Sequence, residues 1–370
     1  MTESYKIAPP FRADHVGSLL RPAELTGAHR SFIAGRLSRE DLDDVTNRAI
    51  REVIGLQEQA GLESITDGEF RRASYWSHFV NAIEGMTVRE ALFVFRDEQG
   101  MLQFTAPDTI AKVRRKRPIS VDEFSFLKSI TGHTPKLTMP SPATMHFWLG
   151  RGGVDRSAYP DEDMFFNDLA QIYREEVDDL VAAGARYVQI DDVPLAMLCD
   201  AMVRESVRGR GEDPDRLIEK YVELTNAALG SVPAELTIAM HLCRGNYKGK
   251  WLSEGGYGYI AERLFNEVSV DGYFLEYDTT RAGDFEPLSF LPAHKVVVLG
   301  LISTKTSQLE SVVDLERKVA AASLFVPLER LALSPQCGFA STVGGNPLSI
   351  DDEKRKLDLL VRTAARIWAA

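Results

Sequence analysis

Short apolar runs alternate with longer amphipathic stretches along almost all of the 370 residues. Eight runs have the length and composition of buried strands, and they fall at 12–18, 64–69, 135–142, 186–192, 236–240, 272–276, 295–300 and 331–334. Stretches between them carry apolar residues at helical spacing, as in the helix that Ser38 caps and Gly61 ends. Repeated strand–helix units leave few folds open, and eight of them predict an α/β fold of the (β/α)8 TIM barrel type.

One interval, between the second and third predicted strands, breaks this alternation. From about 90 to 131 the residues alternate briefly and then become strongly charged, which predicts a β-hairpin insertion within a single barrel domain spanning 1–370. A doubly wound open sheet is the alternative fold. It is disfavoured because no strand run is followed by a Gly-x-Gly-x-x-Gly turn, and the nearest approach, at 150–153, does not follow a strand.

Charge and cysteine content restrict the kind of partner and compartment. A formal net charge of −11 argues against nucleic acid or an anionic membrane as a partner. The basic cluster at 112–117 is interpreted as a solvated hairpin, with a phosphate contact as the alternative. Residues 1–6 lack the apolar core of a signal peptide and no run could span a membrane, so a cytoplasmic location is expected. Three cysteines favour reduced thiols or metal ligands over disulfides.

Ionisable side chains recur where the predicted strands end, at the face of a barrel that carries active sites. They are Glu69, Asp191, His241, Cys243, Glu276, Lys305 and Cys337. Imidazole, thiolate and carboxylate groups suit the tetrahedral shell of Zn2+, so His241, Cys243, Glu276 and Cys337 form a predicted zinc site. The alternative is that these are buried structural residues, which is the role expected for Cys199 within a core helix.

Five short motifs follow one another in an order that matches a known enzyme family. They are DHVGS at 14–18, DGEFRR at 67–72, QIDD at 189–192, HxC at 241–243 and SPQCG at 334–338. With them, the chain resembles the catalytic C-terminal half of cobalamin-independent methionine synthase, and more closely its short stand-alone relatives. The resemblance implies a (β/α)8 barrel that uses zinc to transfer a methyl group to the thiol of homocysteine.

The resemblance also assigns roles to single residues. It implies His241, Cys243, Glu276 and Cys337 as the zinc ligands. Ser18 would bind the carboxylate of homocysteine, while Glu69 and Asp191 would bind its ammonium group. Two carboxylates facing one cavity repel each other unless a cation lies between them, which agrees with that assignment. The alternative for Glu69 is an ion pair with one of the neighbouring arginines, Arg71 or Arg72.

The methyl donor is left open by the sequence. Trp148 falls where the family stacks a folate, although it could equally be a packing residue. Lys305 stands near the place of an Asp-x-His pair that protonates the leaving group, and it is the candidate catalytic residue. A methyl-folate, a methyl-corrinoid or another small methyl compound all remain open, as does a homo-oligomeric state.

Two other functions compete with this hypothesis. One is zinc-dependent alkyl transfer to another small thiol, such as epoxide opening by coenzyme M, whose sulfonate offers no ammonium to Glu69 and Asp191. The other is a zinc-stabilised binding barrel without turnover. Carboxylates at an open barrel mouth make both less favoured than homocysteine methylation.

Overall fold

The computed structural model describes residues 9–97 and 100–368. The prediction made for residues 1–6 concerns residues outside these ranges. The strands are β1 Ser64–Ile65, β2 Ile83–Glu90, β3 Phe95–Asp97, β4 Gly100–Leu102, β5 Thr105–Arg115, β6 Thr134–Pro140, β7 Tyr187–Asp192, β8 Thr237–Leu242, β9 Gly272–Glu276, β10 Val296–Ile302 and β11 Leu331–Pro335. The helices are α1 Ala23–Ile33, α2 Arg39–Gln59, α3 Ser77–Ala82, α4 Val121–Lys128, α5 Glu162–Ala182, α6 Pro194–Met197, α7 Ala201–Gly209, α8 Pro214–Leu229, α9 Ala261–Glu267, α10 Val312–Ala322 and α11 Ile350–Trp368. None of these helices is both long and apolar enough to cross a membrane.

Seven strands form one curled parallel sheet in the order β1-β6-β7-β8-β9-β10-β11. All of its neighbouring pairs are parallel, and helices lie between most successive strands. This confirms the α/β class and places seven of the eight expected strands. Because parallel strands end at the same edge, the residues that follow them meet at one mouth of the curl.

The first expected strand, at 12–18, is reduced to a single parallel bridge between Ala13 and Leu333 of β11. The N–H of Asp14 donates to the carbonyl of Leu333 at 3.0 Å, and the N–H of Leu19 donates to the carbonyl of Gly68 at 3.1 Å. Residues 12–19 therefore run between β11 and the end of β1. They contact both outer strands of the curled sheet without joining its ladder.

The interval between β1 and β6 forms two antiparallel pairs, β2 with β5 and β3 with β4. Pairing starts at Ile83, earlier than the expected insertion at about 90–131, and α4 occupies part of that interval. Two residues of the expected insertion, 98 and 99, lie outside the described chain. The insertion as a unit stays a prediction.

Local sequence signals set the helix ends. Ser38 caps α2 by accepting a hydrogen bond from the N–H of Asp41 at 3.1 Å, as its position before an acidic first turn predicts. Gly61, just past this helix, has a φ of 85°, a conformation that glycine adopts at low cost. Asp161 caps α5 in the same way through the N–H of Asp163. Both helices contribute apolar residues to the main buried core.

The space inside the curl is filled below the mouth. A small apolar cluster occupies it, composed of Val16, Tyr187, Ala239, Phe274, Val298 and Ala332. Lys136 is also fully buried there, 3.1 Å from the Asp14 carboxylate and 4.1 Å from the centre of the Phe274 ring. The interior is therefore packed at this level, and a cavity opens above it toward the carboxyl ends of the strands.

Glu353 of α11 gives a stability prediction away from the mouth. Its Oε2 accepts a hydrogen bond from the Leu20 N–H at 2.8 Å, its Oε1 has no partner within the described chain, and burial raises its pKa to about 8. An ordinary glutamate titrates near pH 4.3, so the folded state holds this proton over a range where the unfolded chain has lost it. That contribution to stability is complete below about pH 4 and is lost as the pH rises to about 8.

Glu353→Gln keeps the acceptor and removes the titration. We expect its free energy of unfolding, measured in urea, to exceed that of the unmodified protein by on the order of 1–3 kcal/mol at pH 8.5 and by less at pH 5. Glu52→Gln, at an exposed position of α2, is the matched control and should show no such trend. A Glu353→Gln protein that is less stable at pH 8.5 would contradict this account.

Candidate active site

Three potential metal ligands converge at the mouth of the sheet. His241 lies near the end of β8, Cys243 directly follows that strand, and Cys337 follows β11. One side-chain atom from each lies within 4.8 Å of the others, and all three residues are buried. The separation between the Sγ atoms of Cys243 and Cys337 is 3.6 Å. The convergence expected from the strand ends is present for these three residues.

Strand register explains how residues far apart in sequence meet here. Asp191 of β7 pairs with His241 of β8, so both side chains stand at the same level of the sheet. The register between β10 and β11 shifts between Gly300 and Ile302, just before the chain leaves β11 for Cys337. Such an irregularity redirects the side chains that follow it, and here it precedes a thiol at the mouth.

The donor set fits a metal better than it fits an ordinary polar cluster. Within the described chain, neither ring nitrogen of His241 has a hydrogen-bond partner of normal geometry. The hydrogen bond between the two sulfur atoms is the main reason that the pKa of Cys337 lies well below its usual value and that of Cys243 well above. A buried imidazole with free nitrogens beside two thiols is the donor chemistry that zinc selects.

Glu276, the fourth expected ligand, does not belong to that group of three. Its Oε2 accepts a hydrogen bond from the N–H of Arg244 at 2.7 Å. Its Oε1 lies 3.5 Å from Lys305 Nζ and 3.7 Å from a guanidinium nitrogen of Arg281. The carboxylate is therefore held by other protein groups, close behind the cluster.

Lys305 is engaged by the same carboxylate. Burial alone would lower the pKa of this ammonium group, but Glu276 and Asp278 outweigh that effect and raise it. Lys305 is not among the residues that line the cavity at the mouth. A lysine that keeps its proton and points at a carboxylate is a poor acid toward a bound ligand.

A cavity of about 810 Å³ opens beside the cluster. Its walls include the three cluster residues and four other residues proposed from sequence, Ser18, Glu69, Trp148 and Asp191. This volume lies within the range of pockets that hold a small-molecule ligand. The residues expected to bind substrate therefore share one space with the candidate ligands.

Glu69 and Asp191 present carboxylates to this cavity. Glu69 Oε1 accepts from Thr138 Oγ1 at 2.7 Å, whereas its Oε2 has no partner within the described chain. Asp191 Oδ1 accepts from Gln189 Nε2 at 2.7 Å. Burial is the main cause that raises the pKa of both groups, to about 7 for Asp191. A bound cation would relieve the cost of holding these two carboxylates together.

The alternative ion pair of Glu69 is partly realised. Arg72 approaches Glu69 Oε1 at 3.6 Å, but its stronger contact is with Glu123 at 2.8 Å. Arg71 instead bonds the side chain of Asn47 at 2.5 Å. Glu69 also has a φ of 60°, which is unusual for a residue with a side chain. Strain of this kind is commonly found at functional sites.

Ser18 lies against the loop that carries Cys337. The carbonyl of Ser18 accepts from the N–H of Phe339 at 2.8 Å, and a Cβ at Gly338 would overlap the Ser18 hydroxyl. Glycine at 338 therefore allows the serine and the candidate ligand to approach each other. Ser18 itself is buried and lines the cavity.

Trp148 lies in the wall of the cavity and is almost completely buried. Its ring packs edge to face on Phe104 at 5.2 Å and on Phe147 at 5.5 Å, and only 2% of its surface is exposed. Its Nε1 has no hydrogen-bond partner within the described chain. Packing, one of the two roles considered from sequence, is observed, and little of the ring face remains for stacking.

Comparison with known proteins decides the family. The model of the family described as cobalamin-independent synthase, catalytic domain, matches residues 11–348. The chain belongs to this family. It is thus an enzyme of the cobalamin-independent methionine synthase-like methyltransferase type, associated with methionine biosynthesis.

Relatives of the cobalamin-independent synthase family match over nearly the whole chain. The uncharacterized Bacillus subtilis protein YxjH is 38% identical, over 99% of this chain and 97% of its own length. A methionine synthase of Saccharolobus solfataricus is 28% identical, over 87% of this chain and 86% of its own.

Solved structures agree with this family assignment. A putative vitamin-B12 independent methionine synthase from Listeria monocytogenes has a TM-score of 0.77 at 33% identity, covering 98% of this chain and 99% of that one. A B12-independent methionine synthase from Shewanella sp. W3-18-1, solved in complex with selenomethionine, shares the fold with a TM-score of 0.74 at 22% identity, covering 96% of this chain and 97% of that one.

Sequence reasoning missed three polar residues around this cobalamin-independent synthase site. Asn246 lines the cavity, its Oδ1 has no partner among residues 9–97 and 100–368, and its Nδ2 donates to the Gly338 carbonyl at 2.9 Å. The Arg244 guanidinium is fully buried and bonds the carbonyls of Gly255 and Glu276. Arg21, which is also buried, is the third. The position of Asn246 and Arg244, directly after a ligand strand, was the available signal.

Arg21 connects the two loops that flank the cavity. Its guanidinium donates to the carbonyls of Glu69 and Arg72 at 2.6 and 2.9 Å, and to those of Ala340 and Thr342 at 3.3 and 3.1 Å. Each loop carries one of the residues proposed for substrate or metal. The loop with Glu69 is therefore fixed relative to the loop with Cys337.

The basic cluster at 112–117 lies at the end of β5 and just beyond it, outside this cavity. Arg115 bonds Glu176 at 2.8 Å and Asp179 at 2.6 Å, and Arg114 pairs with Glu84 on the neighbouring strand. Lys112 lies over the ring of Tyr159. These contacts engage the residues on β5, while Lys116 and Arg117 follow the strand at exposed positions.

Proposed function

We propose that the protein transfers a methyl group to the thiol of homocysteine, with a zinc ion bound by His241, Cys243 and Cys337. The observation that carries the proposal is that these three ligand atoms lie within 4.8 Å in the cavity that also presents Glu69 and Asp191. A thiol site and an ammonium site in one space suit a small amino acid with a side-chain thiol. We further infer that the curled sheet and residues 12–18 form a single (β/α)8 barrel as the catalytic unit.

When bound, zinc would lower the pKa of the substrate thiol, so that it reacts as a thiolate near neutral pH. Glu69 Oε2 and Asp191 would accept hydrogen bonds from the substrate ammonium, and the Ser18 hydroxyl would donate to its carboxylate. Asn246 Oδ1 is a further acceptor on the same wall. These contacts orient the substrate sulfur and hold it away from water.

Glu276 is proposed as the fourth ligand. Its present contacts show a second position in which protein groups stabilise its carboxylate. A carboxylate released from a metal needs other hydrogen-bond donors, since a bare buried charge is costly. The Arg244 N–H, Lys305 and Arg281 supply them at 2.7, 3.5 and 3.7 Å. These donors would hold the Glu276 carboxylate whenever it is not bound to the metal. Lys305 then holds this carboxylate rather than protonating the leaving group.

The other small thiol considered, coenzyme M, is not favoured. Its sulfonate would face two carboxylates, Glu69 and Asp191, in a buried space where repulsion between like charges is strong. Homocysteine brings an ammonium group to the same position. The donor, a methyl-folate, a methyl-corrinoid or a smaller compound, is a separate question from this thiol chemistry.

Calorimetry in buffers of different ionisation enthalpy tests the proposal. Homocysteine added to zinc-loaded protein at pH 7 should release about one proton per molecule bound, because a thiol binds a metal as a thiolate. Homoserine, with a hydroxyl in place of the thiol, should bind at least about tenfold more weakly and release none. Equal binding of the two without proton release would refute the proposed role of the metal.

A further inference from the structure

One side of the cavity is a continuous row of aromatic rings that no step of the thiol chemistry uses. Phe95, Phe104, Trp148 and Tyr247 compose this aromatic wall, and all four line the cavity. Phe104 lies 5.2 Å from Trp148 and 5.0 Å from Phe95, and Phe95 lies 5.3 Å from Tyr247, measured between ring centres. The rings meet edge to face, and Phe104 and Tyr247 are the less buried of the four.

The aromatic wall is joined to the metal ligands through the backbone. Tyr247 lies in the loop that follows Cys243. Phe95 begins β3, whose Arg96 exchanges two backbone hydrogen bonds with Trp251 at 2.8 and 3.1 Å. Lys250 adds an ion pair to Asp97 on the same strand. The antiparallel pair β3–β4 is therefore fixed to the loop after a ligand, and a molecule against the wall would lie beside the substrate sulfur.

Charges around the cavity favour a cationic occupant. Of the described residues that line it, Arg30 is the only lysine or arginine, whereas Glu69, Glu90 and Asp191 contribute carboxylates. Arg30 is exposed at α1, away from the strand ends. Homocysteine bound as a thiolate carries a net charge of about −1, so it does not reverse this balance. A donor with anionic groups would find few partners here, while a cation would be attracted.

Lys305 is poorly placed to protonate a leaving group in the cavity. This residue is paired with Glu276 and does not line the cavity. An amine that loses a methyl group to a thiolate leaves as an anion and needs a proton in that step. A sulfonium or quaternary ammonium compound leaves as a neutral thioether or amine. Methyl donors of this second type need no acid at the aromatic wall.

We infer that the second substrate is a small methyl-onium compound, a sulfonium or quaternary ammonium ion held against the aromatic wall by cation–π attraction. The inference rests on the proposed thiol chemistry. The thiolate sulfur of homocysteine forms a bond to the methyl carbon while the bond from that carbon to the onium centre breaks. The electron pair of the broken bond stays on the leaving atom, which becomes neutral, and no oxidant or reductant takes part.

Binding is tested with trimethylsulfonium against tert-butyl alcohol, a neutral molecule of similar shape. Calorimetry on zinc-loaded protein without homocysteine should show the cation binding at least about tenfold more tightly. Phe104→Leu and Tyr247→Leu, in separate proteins, should each weaken trimethylsulfonium about tenfold and change the alcohol far less, because leucine is apolar but lacks the ring quadrupole. Phe290→Leu, at an exposed position outside the cavity, is the control. Equal losses for cation and alcohol would overturn the inference.

Turnover is tested with deuterated trimethylsulfonium and homocysteine, by mass spectrometry of methionine and gas chromatography of dimethyl sulfide. We expect one labelled methionine for each dimethyl sulfide released, and tetramethylammonium as a second arm separates sulfonium from ammonium donors. Methionine formation from methylcobalamin or 5-methyltetrahydrofolate, but not from trimethylsulfonium or tetramethylammonium, would overturn the onium donor. If homocysteine still releases its proton on binding in that case, the thiol chemistry would stand. Absence of that proton release would instead refute the proposed function.

Discussion

Replacing Cys243 or Cys337 with serine should remove most of the bound zinc and lower methyl transfer by at least about two orders of magnitude. Serine is a weak zinc ligand at neutral pH because its hydroxyl keeps its proton. Without the metal, a substrate thiol with an ordinary pKa near 8.5 is only about 3% thiolate at pH 7, which accounts for roughly thirtyfold. Loss of the fixed position of the sulfur adds to this.

Cys199→Ser is the matched control for these two variants. Cys199 is buried like the others, but its thiol lies 3.8 Å from the Leu195 carbonyl and does not belong to the cluster. The unmodified protein and this control should each retain about one zinc per chain by elemental analysis. Full zinc content in both the Cys243 and Cys337 variants would show that the metal, if present, is bound elsewhere.

Removing the charge of Glu69 or Asp191 should weaken homocysteine binding by about thirtyfold or more while zinc stays bound. Loss of one partner of a buried charged pair typically costs 2–5 kcal/mol, and about 2 kcal/mol corresponds to this factor. Glu69→Gln and Asp191→Asn keep the size of the side chains. Affinity is measured by calorimetry, together with zinc content, for homocysteine and for 4-mercaptobutanoate, which has the same thiol and carboxylate but no ammonium.

The comparison between the two thiols separates a direct contact from damage to the fold. If Glu69 and Asp191 bind the ammonium, the substitutions should leave 4-mercaptobutanoate binding unchanged or improved, since an unpaired carboxylate is removed from its path. Glu90→Gln, a charge change elsewhere on the cavity wall, should leave homocysteine affinity within about twofold. An equal loss for both thiols would remove the proposed ammonium contact.

Strand ends were the most informative sequence feature. In a parallel sheet they must meet at one edge, so His241, Cys243 and Cys337 could be grouped from their positions after strand runs alone. The same rule predicts that Asp191 lies at this edge of the sheet, and its pairing with His241 in the strand register agrees with that prediction. The first strand was overestimated. At 12–18 the chain makes one bridge to β11, because a polar segment that runs between two strands needs few ladder hydrogen bonds.

Residues on loops could not be placed by this rule. The contacts of Glu276 come from Arg244 and Arg281, whose positions depend on turns that have no periodic pattern. The aromatic wall unites Phe95 and Phe104 of an antiparallel region with Tyr247 of a distant loop. Its existence depends on how that region docks, which neither spacing nor composition specifies. The ion pair of Lys305 with Glu276 is a tertiary contact of the same kind, and the sequence gives no signal for it.

The contact between residues 12–19 and β11 has a consequence for how active protein is obtained. Arg12 bonds the carbonyl of Leu331, 319 positions away, and the same closure brings Ser18 against the loop of Cys337. Contacts of such long range are slow to form, because much of the chain must already be ordered. We therefore expect metal uptake during refolding to follow the last kinetic phase. The measured ratio of zinc to protein would then give the fraction of molecules that have completed folding in a preparation.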